Sequence, residues 1–235
     1  MQLDVLAIAA HCDDVEGNCG GTLIKMSQLG YKIGVIDLSR GEAGSRGTPN
    51  QRIREASQAS KIMGLEIREN LKLPDANIEV NYGNKIKLAK KIRKYKPKVV
   101  ILPYWEGRHP DHYNASKLGY EACFLSGLKK ILPNMQPHRP FKILYTVTWE
   151  EIIPSFVMDI TAQFEKKVQA LSCYRSQFIS PKKNPNFPTP DELLELLKAR
   201  SIYYGNLIGK RYGEAFITKE PFEVQDLTKL PVRSI

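Results

Sequence analysis

Hydrophobic and polar positions divide the chain into short apolar runs and longer amphipathic stretches. Runs typical of buried strands occur in LDVLAIAA, KIGVIDLSRG, KVVILPYW and FKILYTVTW, at residues 67–73, and at the start of VMDITAQFEKKVQALSCYRSQF. Helical periodicity is found in GGTLIKMSQLGYK, TPNQRIREASQASKIMG, NYGNKIKLAKKIRKYKP, ASKLGYEACFLSGLKKI and DELLELLKARSIYYGNLIG. The alternation of strand and helix predicts one α/β domain over residues 1–235, with a mostly parallel, doubly wound sheet and helices on both faces.

Capping residues support the predicted helix boundaries. The stretch from Thr48 to Gly64 begins with a capping threonine followed by Pro49 and closes on a glycine, which is the expected order of helix start and stop signals. Gly30 is a plausible C-cap for the first helix, which we expect to begin near Gly20.

Charge and composition narrow the functional classes. The chain has 235 residues, a formal net charge of +10 and 42% hydrophobic residues. Its basic residues are spread along predicted helix faces, so we expect the charge to attract an anionic small substrate and not a nucleic acid. No apolar run approaches the roughly 18 residues of a membrane span, no secretory signal is visible, and the four cysteines form no CxxC pair. We therefore expect a cytoplasmic protein without membrane association.

Three of the four histidines lie in two acidic motifs, AHCDD and RHPDH. Each motif follows a predicted buried strand, and ligands of such sheets collect beyond the carboxyl ends of the strands. The alternative interpretation is that each histidine only caps a helix or satisfies a hydrogen bond. The joint pattern favours a site over that alternative.

A catalytic zinc site takes three protein ligands and leaves one position for water. His11, Asp14 and His112 supply such a set, which suits Zn²⁺, and Fe²⁺ binds similar mixtures. Water bound there has its pKa lowered toward about 7 and becomes a nucleophile. Asp13, adjacent to one ligand, is the candidate general base.

Two further residues of RHPDH have expected roles. Asp111 is expected to orient a ligating histidine from the second layer of contacts. His109, if protonated, would stabilise an oxyanion or protonate a leaving amine.

Cys12 has three interpretations. Its thiolate can ligate zinc or act as a nucleophile, but the neighbouring Asp13 and Asp14 are anionic and raise the pKa of a thiol. We therefore favour a spectator thiol.

Four stretches together resemble the LmbE-like (PIG-L) N-acetylglucosaminyl deacetylases. They are AHCDDVE, SRGEAGSRGTPNQRIREA, RHPDH and YGNLIGKRYGEAF, and the resemblance covers almost the whole chain. It is closest to the branch that deacetylates N-acetylglucosaminyl-L-malate in bacillithiol biosynthesis. The resemblance implies a Rossmann-like sheet, a small-molecule N-acetylglucosamine conjugate as substrate, and a homo-oligomer such as a hexamer built from trimers.

The resemblance also carries residue roles. His11, Asp14 and His112 fall on the metal ligands of the family, Asp13 on its general base and His109 on the histidine thought to stabilise the oxyanion.

The resemblance places Arg52 on an arginine of the substrate pocket. Arg46 and Arg108 are further candidates to hold a malate carboxylate through bidentate contacts. The loop that carries Arg46 is equally consistent with a solvated loop.

The family pattern is His-Pro-Asp-Asp, and this chain has Cys12 in place of the proline. Proline fixes φ, so its loss is expected to loosen His11 relative to the two aspartates. Two alternatives to the leading hypothesis stay open. One is a deacetylase of another N-acetylglucosamine conjugate, such as a chitin disaccharide; the other is a binding protein with a closed, structural metal site that includes Cys12.

Overall fold

Seven strands and seven helices make up the fold of the computed structural model, which describes residues 1–147, 150, 152–178 and 189–232. The strands are β1 Val5–Ala9, β2 Ile33–Ser39, β3 Ile67–Leu73, β4 Val99–Pro103, β5 Lys142–Thr146, β6 Phe156–Asp159 and β7 Gly213–Ile217. The helices are α1 Asp14–Gln28, α2 Pro49–Met63, α3 Tyr82–Tyr95, α4 Pro110–Ser126, α5 Phe164–Leu171, α6 Arg175–Phe178 and α7 Pro190–Asn206. A single 3₁₀ turn, Leu227–Lys229, follows.

All seven strands form one sheet in the order β3-β2-β1-β4-β5-β7-β6. The first five are parallel, whereas β7 pairs antiparallel with both β5 and β6. This confirms the predicted fold class, an α/β sheet that is mostly parallel. The strand GEAFI was not predicted, and residues 148 and 149 of the predicted strand FKILYTVTW lie outside the described residues.

Strand β1 contributes to the two larger hydrophobic cores. Leu6 and Ile8 point into the core beneath α3 and α4, whereas Val5 and Ala7 point into the core beneath α1, α2 and α5. Alternate side chains of a strand face opposite sides of a sheet, so a strand that is apolar at every position must be covered on both faces. Every residue of β1 is buried, which explains the uninterrupted apolar run in the sequence.

The predicted caps of α2 are confirmed. The Thr48 side chain accepts a hydrogen bond from the Gln51 amide at 3.2 Å, and Gly64 closes the helix in the left-handed region at φ 71°. Both features match the standard chemistry of helix ends.

Two helices begin earlier than the sequence predicts. Helix α1 begins at Asp14 rather than near Gly20, and α4 begins at Pro110 rather than after the RHPDH motif. The motif residues themselves form the first turns, with Asp13 and His109 at the N-cap positions. Polar residues at a helix start carry no apolar periodicity, which is why the periodicity located only the later turns. Among the described residues, every helix is too short or too polar to traverse a lipid bilayer.

Helix α1 is interrupted at Cys19, whose backbone is non-helical at φ −140° and ψ 17°. The interruption frees backbone amides that have no partner inside the helix. Glu214 of β7 accepts hydrogen bonds from two of them, Gly21 at 2.9 Å and Thr22 at 2.7 Å. Lys167 of α5 lies 2.6 Å from the same carboxylate, and both members of this ion pair are buried.

The carbonyl end of the first segment of α1 is also satisfied by a charged side chain. Arg200 of α7 donates to the Gly17 carbonyl at 2.7 Å. A cation at a carbonyl end and an anion at an amide end both complement the helix dipole. The short first segment, which carries Asp14, is therefore anchored by the C-terminal part of the chain.

Loss of the Glu214 carboxylate is expected to destabilise the fold strongly. Glu214→Gln leaves Lys167 buried without a counter-ion, so the free energy of unfolding should fall by about 3–5 kcal/mol in urea denaturation. Glu121→Ala, which removes the partly exposed ion pair with Lys85, is the control and should cost less than about 1 kcal/mol. Equal losses for the two variants would contradict this account.

Candidate metal centre

The order of the strands brings the two acidic motifs together. The chain runs outward from β1 through β2 to β3 and then returns to β4 on the other side of β1. The carboxyl ends of β1 and β4 are thus neighbours at the point where the strand order reverses, which is where doubly wound sheets bind ligands. AHCDD follows β1 and RHPDH follows β4, so the loop positions of both motifs are set by the sheet.

Three imidazole rings meet at this point. The His109 and His112 rings are stacked with centroids 4.5 Å apart, and the His11 ring lies 5.0 Å from His109 and 5.4 Å from His112. One nitrogen from each ring can be chosen so that all three lie within 4.8 Å of one another. The three histidines that the sequence singled out therefore form one cluster.

Asp14 joins two of these rings through its carboxylate. Its Oδ1 atom lies 3.2 Å from His112 Nε2, and its Oδ2 atom lies 3.4 Å from His11 Nδ1. The His11 amide also donates to Oδ2 at 2.9 Å. The structure thus brings the predicted ligands His11, Asp14 and His112 together, and two imidazole nitrogens with one carboxylate fit Zn²⁺ or Fe²⁺ chemistry.

The opposite nitrogen of His11 faces two more carboxylates. His11 Nε2 lies 3.1 Å from Asp75 Oδ1 and 3.4 Å from Asp111 Oδ2. Asp111 is itself held by the amides of Ala76 at 2.8 Å and Ile78 at 3.1 Å. A carboxylate that accepts from the remote nitrogen of a ligating histidine fixes its tautomer and direction. The position of Asp111 agrees with the orienting role expected for it.

Asp75 was missed by the sequence analysis. It lies in LPDAN, directly beyond β3, and its carboxylate also accepts from the Ala43 amide at 2.8 Å. The sequence did contain a signal for Asp75, because this acidic residue follows the carboxyl end of β3, the neighbour of β2 in the sheet. Without a histidine beside it, that aspartate did not stand out from a turn residue.

These contacts shift the acid–base properties of the cluster in the metal-free protein. Burial opposes protonation of His11, but the carboxylates of Asp14, Asp111 and Asp75 outweigh it and raise its pKa to about 12. The pKa of His112 is raised for the same reason, since Asp14 outweighs burial. The pKa of Asp14 is lowered because the two histidines outweigh its own burial.

Asp13 lies at the edge of the cluster and is held by Arg52. The guanidinium donates from Nη2 to Asp13 Oδ1 at 3.0 Å and from Nη1 to the Gly41 carbonyl at 3.1 Å. Gly41 has φ +68°, and a Cβ there would lie 1.7 Å from Arg52 Nη1, so only glycine admits the guanidinium. Arg52, which the resemblance places in the substrate pocket, is buried, and its guanidinium contacts Asp13.

His109 acts as the N-cap of α4. Its Nδ1 atom accepts a hydrogen bond from the Asp111 amide at 3.3 Å, an arrangement that places the ring proton on Nε2. Burial and the neighbouring histidines lower its pKa. The structure therefore favours a neutral His109 that donates from Nε2, whereas the sequence analysis considered the protonated form.

The Cys12 side chain belongs to the hydrophobic core beneath α1, together with Val15 and Cys19. Among the described residues, its sulfur is part neither of the three-histidine cluster nor of the group formed by His11, Asp75 and Asp111. Burial and the charge of Asp37 raise its pKa. These observations support the interpretation of Cys12 as a spectator.

A small cavity of about 70 Å³ opens beside the cluster. His109 and His112 line it together with Tyr104, Glu106, Gly107, Arg108 and Glu150. Arg108 thus lines the cavity beside the histidine cluster. Arg46 donates to the Gln177 carbonyl at 2.9 Å, and it is not among the residues that line this cavity.

Comparison with known proteins identifies relatives of this chain. The family profile described as "PIG-L: GlcNAc-PI de-N-acetylase" matches residues 6–123. Diacetylchitobiose deacetylase of Thermococcus kodakarensis is 27% identical over 230 residues, which cover 89% of this chain and 80% of the relative.

Two solved structures are similar along most of their length. The conserved protein TT1542 from Thermus thermophilus superposes with a TM-score of 0.87 at 37% identity, covering 95% of this chain and 97% of that one. N,N'-diacetylchitobiose deacetylase from Pyrococcus horikoshii, complexed with an inhibitor, superposes with a TM-score of 0.80 at 25% identity, covering 90% and 82%. The fold therefore recurs in related chains.

The raised histidine pKa values predict how the metal-free protein responds to pH. Groups whose pKa is higher in the folded state stabilise it fully below their unfolded value, about 6.5 for histidine, and lose that contribution as pH rises toward the folded value. The unfolding free energy of the chelator-treated protein should therefore fall as pH rises above about 6.5.

Asp14→Asn removes the main cause of the shift. It should lower the pKa of His11 and His112 in an NMR titration and flatten the pH dependence of stability. Asp226→Asn, at the exposed 3₁₀ turn, is the matched control. Identical titrations for the two variants would contradict this assignment.

Proposed function

Since the chain belongs to the PIG-L family, we propose that it is a metal-dependent hydrolase that removes the N-acetyl group from an N-acetylglucosamine conjugate. One observation carries the proposal. His11, Asp14 and His112 converge at the switch point of the sheet, with Asp13 and His109 beside them. The set provides ligands, a base and a hydrogen-bond donor at a single opening.

The ligand set defines what a cation would contribute. A divalent ion held by His11, Asp14 and His112, with Zn²⁺ as our assignment, would lower the pKa of a bound water toward about 7 and polarise the acetyl carbonyl. Asp75 and Asp111 keep the remote nitrogen of His11 protonated, so the other nitrogen is free to ligate.

We assign the general-base role to Asp13. Arg52 holds the Oδ1 atom, so Oδ2 is the oxygen that accepts the proton of the attacking water. The proton is then available for the sugar nitrogen as the C–N bond breaks, and acetate and a free amine leave. The buried arginine thus directs the base, and it is not among the residues that line the cavity.

His109 is assigned to the developing oxyanion. Its Nδ1 atom is engaged by the backbone of α4, so Nε2–H is the donor that can face the acetyl oxygen. A neutral donor fixed by the helix start needs no rearrangement during the reaction. This role depends on the direction of the Nε2–H bond of His109 and not on a positive charge on its ring.

For the conjugate itself, we propose N-acetylglucosaminyl-L-malate, the substrate of bacillithiol biosynthesis. The net charge of +10 favours an anionic substrate, and Arg108 at the cavity can bind a carboxylate.

A chitin disaccharide is the second candidate. Relatives from two archaea are named diacetylchitobiose deacetylases, and the cavity also presents Tyr104, Glu106 and Glu150, which suit neutral sugar hydroxyls.

The first experiment measures acetate release from both substrates. We expect the purified protein to release acetate when loaded with Zn²⁺ and to lose this activity in chelator. The ratio of kcat/KM values then decides between the malate conjugate and the disaccharide. Arg108→Gln should lower kcat/KM for the malate conjugate at least tenfold and change the disaccharide value little, because only the former carries a carboxylate.

Lys229→Gln, on the exposed 3₁₀ turn, controls for the loss of one positive charge. An absence of acetate release from either substrate under every metal condition would overturn the proposed function.

The second experiment tests the base. Asp13→Asn should lower kcat at least a hundredfold, the scale typical of removing a general base, while the metal content stays that of the wild type. The amide retains an oxygen for Arg52, so the fold of the loop is preserved. Glu42→Gln, on the neighbouring loop, is the control. Wild-type turnover in Asp13→Asn would remove Asp13 from this role.

A further inference from the structure

Two buried side chains hold the carbonyl of Cys12, the residue between His11 and Asp13. Arg68 of β3 and Tyr174, between α5 and α6, both donate to the Cys12 carbonyl. We propose that this pair, the Cys12 carbonyl clamp, positions His11 and Asp13 for metal binding and proton transfer. The inference rests on the proposed function of the same site, and Arg68 and Tyr174 are positioning residues.

The clamp joins distant parts of the chain. Arg68 lies 56 positions after Cys12, and Tyr174 lies 162 positions after it. Neither side chain lines the cavity beside the histidine cluster. Both reach the motif at its backbone, through the Cys12 carbonyl.

The Arg68 guanidinium is held by two carboxylates in addition to its hydrogen bond with the Cys12 carbonyl. Its Nε atom lies 2.8 Å from Asp37, and its Nη1 atom lies 2.6 Å from Glu16. Both carboxylates are buried, and the Tyr174 hydroxyl also lies 3.0 Å from Glu16. The Arg68 guanidinium and the Tyr174 hydroxyl therefore have little conformational freedom. They couple the position of the Cys12 carbonyl to the positions of β3 and α1.

A fixed carbonyl constrains the residues that follow Cys12. The peptide bond is planar, so the direction of the Cys12 carbonyl also sets the direction of the Asp13 amide and its Cα. Asp13 is the N-cap of α1, and Asp14 is the first residue of that helix. A rotation of this one peptide would therefore turn the base and displace the ligand carboxylate relative to His11.

The number of donors argues for a positioning role. A carbonyl oxygen has two lone pairs, and two donors, one of them charged, engage the Cys12 carbonyl and fix the direction in which it points. Cys12 has no ring to restrict its φ angle, so the motif gains its rigidity from outside. The clamp supplies a restraint that a proline would supply from within the backbone.

The test compares two buried tyrosines. Tyr174→Phe removes one donor of the clamp and keeps the ring. Tyr145→Phe is the matched control, because Tyr145 is equally buried and its hydroxyl has no hydrogen-bond partner among the described residues. We expect Tyr174→Phe to weaken the binding of Zn²⁺ and Co²⁺ about tenfold and to change the visible absorption spectrum of bound Co²⁺. Tyr145→Phe should leave both unchanged.

The substitution Cys12→Pro restrains the backbone of the motif independently of the clamp, and it provides the decisive comparison. In the Cys12→Pro background, Tyr174→Phe should cost clearly less metal affinity than it does in the wild type, because the ring restricts the motif without the hydroxyl. A cost as large as in the wild type would overturn the proposal. Equal metal binding and equal Co²⁺ spectra for Tyr174→Phe and Tyr145→Phe would also overturn it, as would a wild-type protein that binds neither metal.

These readouts are independent of the substrate. A protein whose metal affinity and Co²⁺ spectrum depend on Tyr174, but which releases no acetate from any conjugate, would refute the proposed function and retain the clamp. A protein that releases acetate, with Tyr174→Phe indistinguishable from Tyr145→Phe in metal binding, would retain the function and refute the clamp.

Discussion

The pairing of β1 between β2 and β4 is the constraint on which the site depends. Parallel pairing on both sides of β1 aligns the carboxyl ends of the three strands. Every residue of β1 and of β2 is buried, so the site rests on a fully buried part of the sheet. His11 and His109 come together because their strands are neighbours in space, although they lie far apart in the chain. The order of the strands therefore brings the residues of the polar cluster together, and local geometry then sets their individual contacts.

Around this framework, most polar groups of the site are oriented by a partner from another element. Arg52 of α2 directs Asp13, and Asp75 and Asp111 direct His11, whereas His109 is oriented by α4, the helix that it caps. Each partner is buried or partly buried, so its contact is little weakened by solvent. The arrangement leaves little to be organised when a substrate enters, which is the condition for electrostatic catalysis.

The sequence predicted the features that depend on short spacings. The strands of the parallel half, the caps of α2 and the residues of the two acidic motifs are all encoded in a few adjacent positions. The partners were not predictable in the same way. Arg68 and Tyr174 reach Cys12 across 56 and 162 positions, and Glu214 lies in a strand, GEAFI, whose apolar run is shorter than those of the predicted strands. Arg52 was located at the site, but only the structure shows that it faces the base.

The burial of Cys12 makes its thiol an internal reporter of motion at the metal-binding motif. Its side chain is 1% exposed, so a thiol reagent can reach it only when the motif or the helix above it opens. The rate of labelling under native conditions therefore measures the population of that open state. A proline at position 12 would not react with such a reagent. In this chain the reactive thiol lies next to His11 and Asp13, two of the residues with proposed roles in the reaction.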